Sequence, residues 1–167
     1  RAAVGVAAGM RSTALVLEPL DNGSAEQRIA LVSIDHCLLW AKEMAQFLAR
    51  VSAATGLPQQ QILAAFAHTH GAGLLDTSRG DLPGGDLIAP YLETLAARVA
   101  DALTTALANM QPATILYGQG HCSLAAERDF YDETLGEYVC GFNPNGLCDD
   151  TVLVARLVND QQQTIGT

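Results

Sequence analysis

Two apolar runs, residues 28–34 and 62–67, lie on either side of one amphipathic stretch, and that order leaves few folds open. Between them Leu38, Ala41, Met44, Ala45, Leu48 and Val51 share a helical face, and Gly56 then Pro58 close the helix. This helix is expected from residue 38 to about residue 54. Glutamine and alanine after Gly56 also suit a helix from Gln59, but a strand from Ile62 is preferred. Strand, helix and strand then make a right-handed crossover, which sets its two strands parallel and side by side. Residues 13–18 are another β-like run, and Pro19, Leu20, Asp21, Asn22, Gly23 and Ser24 turn the chain back. That turn makes the first two runs an antiparallel hairpin. The expected class is α/β: a mixed β-sheet with flanking helices, a β-hairpin followed by a βαβ crossover.

With 167 residues the chain is one domain's worth, enough to bury a hydrophobic core. Apolar residues make up 49% but aromatics only 5%, and alanine is abundant, which suits closely packed helices against a sheet. A second helix is expected over residues 86–109, with Leu92, Leu95, Val99, Leu103 and Leu107 as its buried stripe and Pro90 in its first turn. Pro112 ends it. Residues 113–117 are a strand, which the stretch at 121–126 extends or doubles back from. Residues 129–150 are loop-like, with acidic residues, glycines and an Asn143-Pro144-Asn145-Gly146 turn. Residues 151–158 are the last long β run, and Asn159-Asp160 turn into another that begins at Thr164. The chain opens on Arg1 and stops in mid-hairpin, so it is expected to be cut at both ends.

The second strand of the crossover stops at His68-Thr69-His70 and is followed by Gly71-Ala72-Gly73. On a strand, period two puts His68 and His70 on one face and Thr69 on the other. The first strand ends in Asp35-His36. Parallel strands joined by a helix end on one edge of the sheet, and ligands bind off that edge. Three of the four histidines and one carboxylate therefore meet on one rim, as a site or as a hydrogen-bonded structural cluster. Singly, His36 also suits the start of a helix, and Asp35 its cap. His121 follows Gly118-Gln119-Gly120 in an expected turn and is read as exposed. Arg128 lies between a β-like stretch and Phe130-Tyr131, where its guanidinium suits either a solvated surface or an oxyanion. The polar, glycine-rich segment 74–85 is long for a connection and sits where a lid or substrate wall would.

The net charge of -9 argues against a nucleic-acid or anionic-membrane partner. No segment reaches the ~18 uninterrupted apolar residues of a membrane span. The four cysteines form no CxxC pair and read as ordinary thiols, although Cys140 and Cys148 flank one loop and suit a bridge if the protein is exported. Zinc takes four ligands, so His68 and His70 alone leave a metal site incomplete.

The residues resemble a family, the neutral/alkaline non-lysosomal ceramidases and their broader bacterial relatives. The landmarks occur in order: Ala30-Leu31-Val32-Ser33-Ile34-Asp35, a helix, Ala67-His68-Thr69-His70, the alanine-rich helix, Gln111-Pro112-Ala113, Tyr117-Gly118-Gln119-Gly120, Arg128, Asn143-Pro144-Asn145-Gly146 and Asp150. The resemblance implies a zinc-dependent amide hydrolase, of which residues 1–167 are part of the α/β catalytic domain. It makes His68 a zinc ligand, places His70 beside the scissile group, and gives Arg128 the substrate carbonyl or product carboxylate. Asp35, His36 and Gly71 then line the substrate. The remaining zinc ligands are expected outside these residues, and the family habit is extracytoplasmic. The family usually continues His-Thr-His with Ser-Gly-Pro, where this chain has Gly71-Ala72-Gly73. The substrate stays open: an N-acyl lipid such as ceramide, or another amide or ester. Two alternatives stand beside this reading. One is a non-catalytic ligand-binding domain of the same fold. The other is a different metal-dependent hydrolase, such as a TIM barrel, which the antiparallel hairpin disfavours.

Overall fold

In the computed structural model, which describes residue 5, residues 8–20 and residues 24–167, the crossover and its hairpin are both present. Strand β1 (Ser12–Leu17) pairs antiparallel with β2 (Ile29–Ile34), Ser12 opposite Ile34 and Leu17 opposite Ile29. Asp21, Asn22 and Gly23 of the expected turn lie outside the described residues. Helix α1 (Ala41–Thr55) then carries the chain to β3 (Ile62–Phe66), which pairs parallel with β2 from Ala30 opposite Ile62 to Ile34 opposite Phe66. Strand β2 is thus central, in the order β1-β2-β3.

Alternation decides which face is covered. Val16, Ala30, Val32, Ile34 and Ile62 are buried, whereas Ile29 and Leu63 on the opposite face are exposed. The covered face packs against α1 and against α2 (Ile88–Ala108), which contribute Phe47 and Val51, and Leu92, Leu95, Ala96, Val99 and Leu103. Each large side chain fully buried here contributes about 1.5–3 kcal/mol. The alanine among them lets α2 lie close to its neighbours. Leu107 is only half-buried, near the end of the stripe.

Helix α1 differs from expectation at its start and in its facing. Residues 35–37 bend, so the helix begins at Ala41 and not at Leu38. Its buried residues are Glu43, Phe47 and Val51, while Met44 and Leu48 are half-buried and Ala41 and Ala45 exposed. A carboxylate can face inward because Thr77 satisfies it. The Thr77 amide donates to Glu43 Oε1 at 3.2 Å, and the Thr77 hydroxyl donates to the same oxygen. The helix ends as expected, with Gly56 left-handed at φ 74° and its N–H on the Ser52 carbonyl.

The chain divides into two compact units, Arg1–Met110 and Gln111–Thr167. In the second, β4 (Thr114–His121), β7 (Thr151–Val158) and β8 (Thr164–Gly166) form an antiparallel sheet in the order β4-β7-β8. The run at 151–158 and its return at Thr164 are as expected, and β4 extends through His121. The stretch 129–150 is less irregular than expected. Strands β5 (Asp129–Asp132) and β6 (Glu137–Cys140) pair as a hairpin, with Tyr131 and Tyr138 edge to face at 5.4 Å. Asp132 Oδ1 accepts from the amides of Thr134 and Leu135, and Gly136 supplies the left-handed turn residue at φ 69°. No helix among the described residues is long and apolar enough to cross a membrane.

Candidate metal centre

Parallel pairing brings the ends of β2 and β3 level, and the Ala67 amide donates to the Ile34 carbonyl at 3.0 Å to carry the pairing one residue further. The segments leaving the two strands are therefore neighbours. Cys37 lies three residues past Ile34 and His68 two past Phe66, and Cys37 Sγ is 3.8 Å from His68 Nδ1. The His68 and His70 rings are edge to face with centroids 5.2 Å apart. One ligand atom from each of Cys37, His68 and His70 lies within 4.8 Å of the other two. Cys37 is half-buried and both histidines are exposed, so the cluster opens to solvent.

The two histidines meet by a different geometry from the one expected. Strand β3 stops at Phe66, and His68 itself takes the left-handed conformation at φ 55°. Gly71 and Gly73, which follow the pair, are not left-handed. The Gly71 amide donates to Thr69 Oγ1 at 3.1 Å and closes the turn after His70. A left-handed non-glycine residue is uncommon and points to a constraint on that side chain.

The other two rim residues take part in hydrogen bonds of the fold. Asp35 does not cap α1: its Oδ2 accepts from the Arg11 amide at 3.1 Å, and its own amide donates to the Arg11 carbonyl, prolonging the β1–β2 pairing. His36 does not open α1 either. It turns inward, 4% exposed, with Nε2 2.6 Å from the Tyr91 hydroxyl and no partner on Nδ1 among the described residues. Burial holds its pKa below the ordinary 6.5, which the neighbouring Asp35 charge partly offsets. Gly71 is exposed beside His70.

The long segment 74–85 is anchored. Leu75 is buried, Thr77 is bound to Glu43 as described, and Lys42 Nζ donates to Thr77 Oγ1 at 3.1 Å. Asp76 Oδ1 accepts from the Ser78 amide at 2.8 Å and starts a short 3-10 turn. Gly85 passes so close to the backbone that a Cβ there would stand 2.0 Å from the Arg79 carbonyl oxygen.

Arg128 belongs to the second unit and is exposed. Its Nε donates to the Gly141 carbonyl at 3.1 Å, and the Glu127 carboxylate accepts from the amides of Arg128 and Asp129, both at 2.9 Å. These bonds fix the base of the β5–β6 hairpin. His121 ends β4 and lies in no turn; it is exposed, with Nδ1 2.9 Å from Asp150 Oδ1. All four cysteines are free thiols.

The donor set suits zinc. Imidazole nitrogen and cysteine sulfur are its preferred protein ligands. Tetrahedral coordination at the usual bond lengths separates a sulfur and a nitrogen ligand by about 3.6 Å, close to the 3.8 Å between Cys37 and His68. Cys37 is the residue that reading the sequence alone passes over. The available signal was the parallel pairing of β2 and β3, which brings the segments carrying positions 37 and 68 side by side.

No family model matches the chain, and no curated protein matches it. A solved structure does: a ceramidase complexed with C2, at a TM-score of 0.64 and 21% identity over 93% of this chain. The fold is ceramidase-like. The match spans 24% of that ceramidase's length. The mixed sheet and its two helices therefore belong to a ceramidase-like arrangement, and the His68 cluster sits at the ends of its parallel strands.

Proposed function

We propose that this protein hydrolyses an amide bond, in an N-acyl lipid such as ceramide, at a zinc centre that includes His68. The observation that carries the reading is the meeting of His68 and His70 at the ends of β2 and β3, on a ceramidase-like fold. His68 holds the metal through a ring nitrogen. Bound zinc supplies Lewis acidity and brings the pKa of a water to about 7. His70, beside the scissile carbonyl, donates a ring N–H to the oxyanion that develops there, a contribution of about 3–4 kcal/mol per donor in comparable sites. The resemblance gives Arg128 the substrate carbonyl or product carboxylate; its Nε is bound to the Gly141 carbonyl within the second unit, and its terminal amino groups suit such an oxygen. The resemblance puts further zinc ligands outside these 167 residues.

Elemental analysis of the dialysed full-length protein, with N-acyl lipid hydrolysis measured alongside, tests the reading. About one zinc per chain and measurable amide cleavage are expected, with both lost in His68→Ala and both retained in His121→Ala. Equal losses in the two variants would overturn it. Lipid binding without metal or turnover would favour the non-catalytic alternative.

A further inference from the structure

We infer that the Cys37 thiolate is a ligand of the same ion as His68, an assignment that rests on the metal reading above. Three observations carry it. The Cys37 Sγ to His68 Nδ1 separation of 3.8 Å is near the edge of a tetrahedral sulfur and nitrogen pair. Cys37 is a free thiol, half-buried at the strand ends, with its sulfur within 4.8 Å of a ring nitrogen of both His68 and His70. Its position is fixed by the backbone. The bend after β2 is tied by the His36 amide on the Ile34 carbonyl at 2.8 Å and by the Ala67 amide on the same carbonyl at 3.0 Å. The residues just before 37 and 68 are therefore tied to one carbonyl by main-chain bonds. His70 completes the cluster and keeps its substrate-facing role.

A thiolate changes what the centre accepts. Sulfur is a soft donor, so zinc and cobalt(II) are favoured, and magnesium and calcium, which want oxygen, are excluded. It also exposes the centre to oxidants. Conversion of the thiol to sulfenic or sulfinic acid removes a soft sulfur donor, so mild peroxide treatment should release the metal. In the first of these steps the sulfur attacks one peroxide oxygen, the O–O bond breaks as the S–O bond forms, and the other oxygen leaves as water.

Cobalt(II) titration of the full-length protein tests the assignment directly, because a cysteine ligand gives a near-ultraviolet sulfur-to-cobalt charge-transfer band and histidine does not. Wild type should show the band. Cys37→Ser should lose it and bind cobalt at least roughly tenfold more weakly, since even an outer-shell partner is worth that much. A second measurement needs no substitution at Cys37. Saturating zinc should slow iodoacetamide labelling of Cys37 and leave the exposed Cys140 and Cys148 unaffected, with the protection absent in His68→Ala. Cobalt bound with dependence on His68 but without the band, and no zinc protection of Cys37, would overturn the thiolate ligand while the metal centre stands. Failure of wild type to hold cobalt or zinc would overturn both.

Discussion

The Nε2 atom of His36 lies 2.6 Å from the Tyr91 hydroxyl, and this bond fastens the bend after β2 to helix α2. The imidazole is buried and its Nδ1 has no partner among the described residues, so this bond is the one that holds the ring there. Tyr91→Phe removes it and leaves a second buried nitrogen unpaired, at a cost of about 1–3 kcal/mol. Urea denaturation is the measurement. An unchanged midpoint would show that the bond does not hold the bend.

Glu43 gives the protein an acid-sensitive joint. The Thr77 hydroxyl bond is the main cause that holds its pKa below the ordinary 4.5, and burial opposes it. A carboxyl group whose pKa is lower in the folded state binds fewer protons there than in the unfolded state. Its contribution is full above the unfolded value of 4.5 and is lost as the pH falls through 4.5 towards the folded value. Stability should therefore fall as the pH drops below about 4.5, and fall less steeply in Thr77→Val. Parallel curves for the two proteins would contradict the assignment.

Residue 68 is left-handed, so two substitutions that both delete the imidazole should differ. Glycine accepts this conformation freely and alanine does not. His68→Gly is expected to be about 1 kcal/mol more stable than His68→Ala, although neither retains metal. Thermal denaturation of the pair checks it. Equal stability would mean that the turn relaxes when the side chain is lost.

In the second unit Gly146 is packed against Glu127, and an added Cβ would stand 2.2 Å from Glu127 Cγ. Glu127 cannot easily yield, because its carboxylate accepts two main-chain bonds at the base of the β5–β6 hairpin. Gly146→Ala should cost about 1–3 kcal/mol and loosen the segment that carries Arg128. Faster amide exchange at Arg128 and Asp129 would report it, and unchanged exchange would refute it.

What the sequence made legible was whatever repeats over a long enough window. The stripe from Leu92 to Leu103 and the run at 151–158 are of that kind, and so is the strand, helix, strand order that builds the sheet. The facing of α1 was not legible, because burying Glu43 depends on Thr77, which lies 34 residues away. Strands β5 and β6 were missed because four residues are too few for a period to declare itself. At the site, the pairing of His68 with His70 was anticipated by a strand argument, yet a left-handed residue produces it. Cys37 needed the β2–β3 register, which is a property of two segments together and of neither alone.

The close approach at Gly85 bears on how a ligand would be received. Carbonyl oxygens of Arg79 and Gly80 crowd the place where a side chain would begin, so the segment after the His70 turn is folded back on itself before anything binds. Docking against it would require no disorder-to-order step, and the heat-capacity change on binding would reflect the area of contact alone. Selectivity on that side would then come from the shape the segment already has, and a molecule that does not match it would find no surface ready to mould itself.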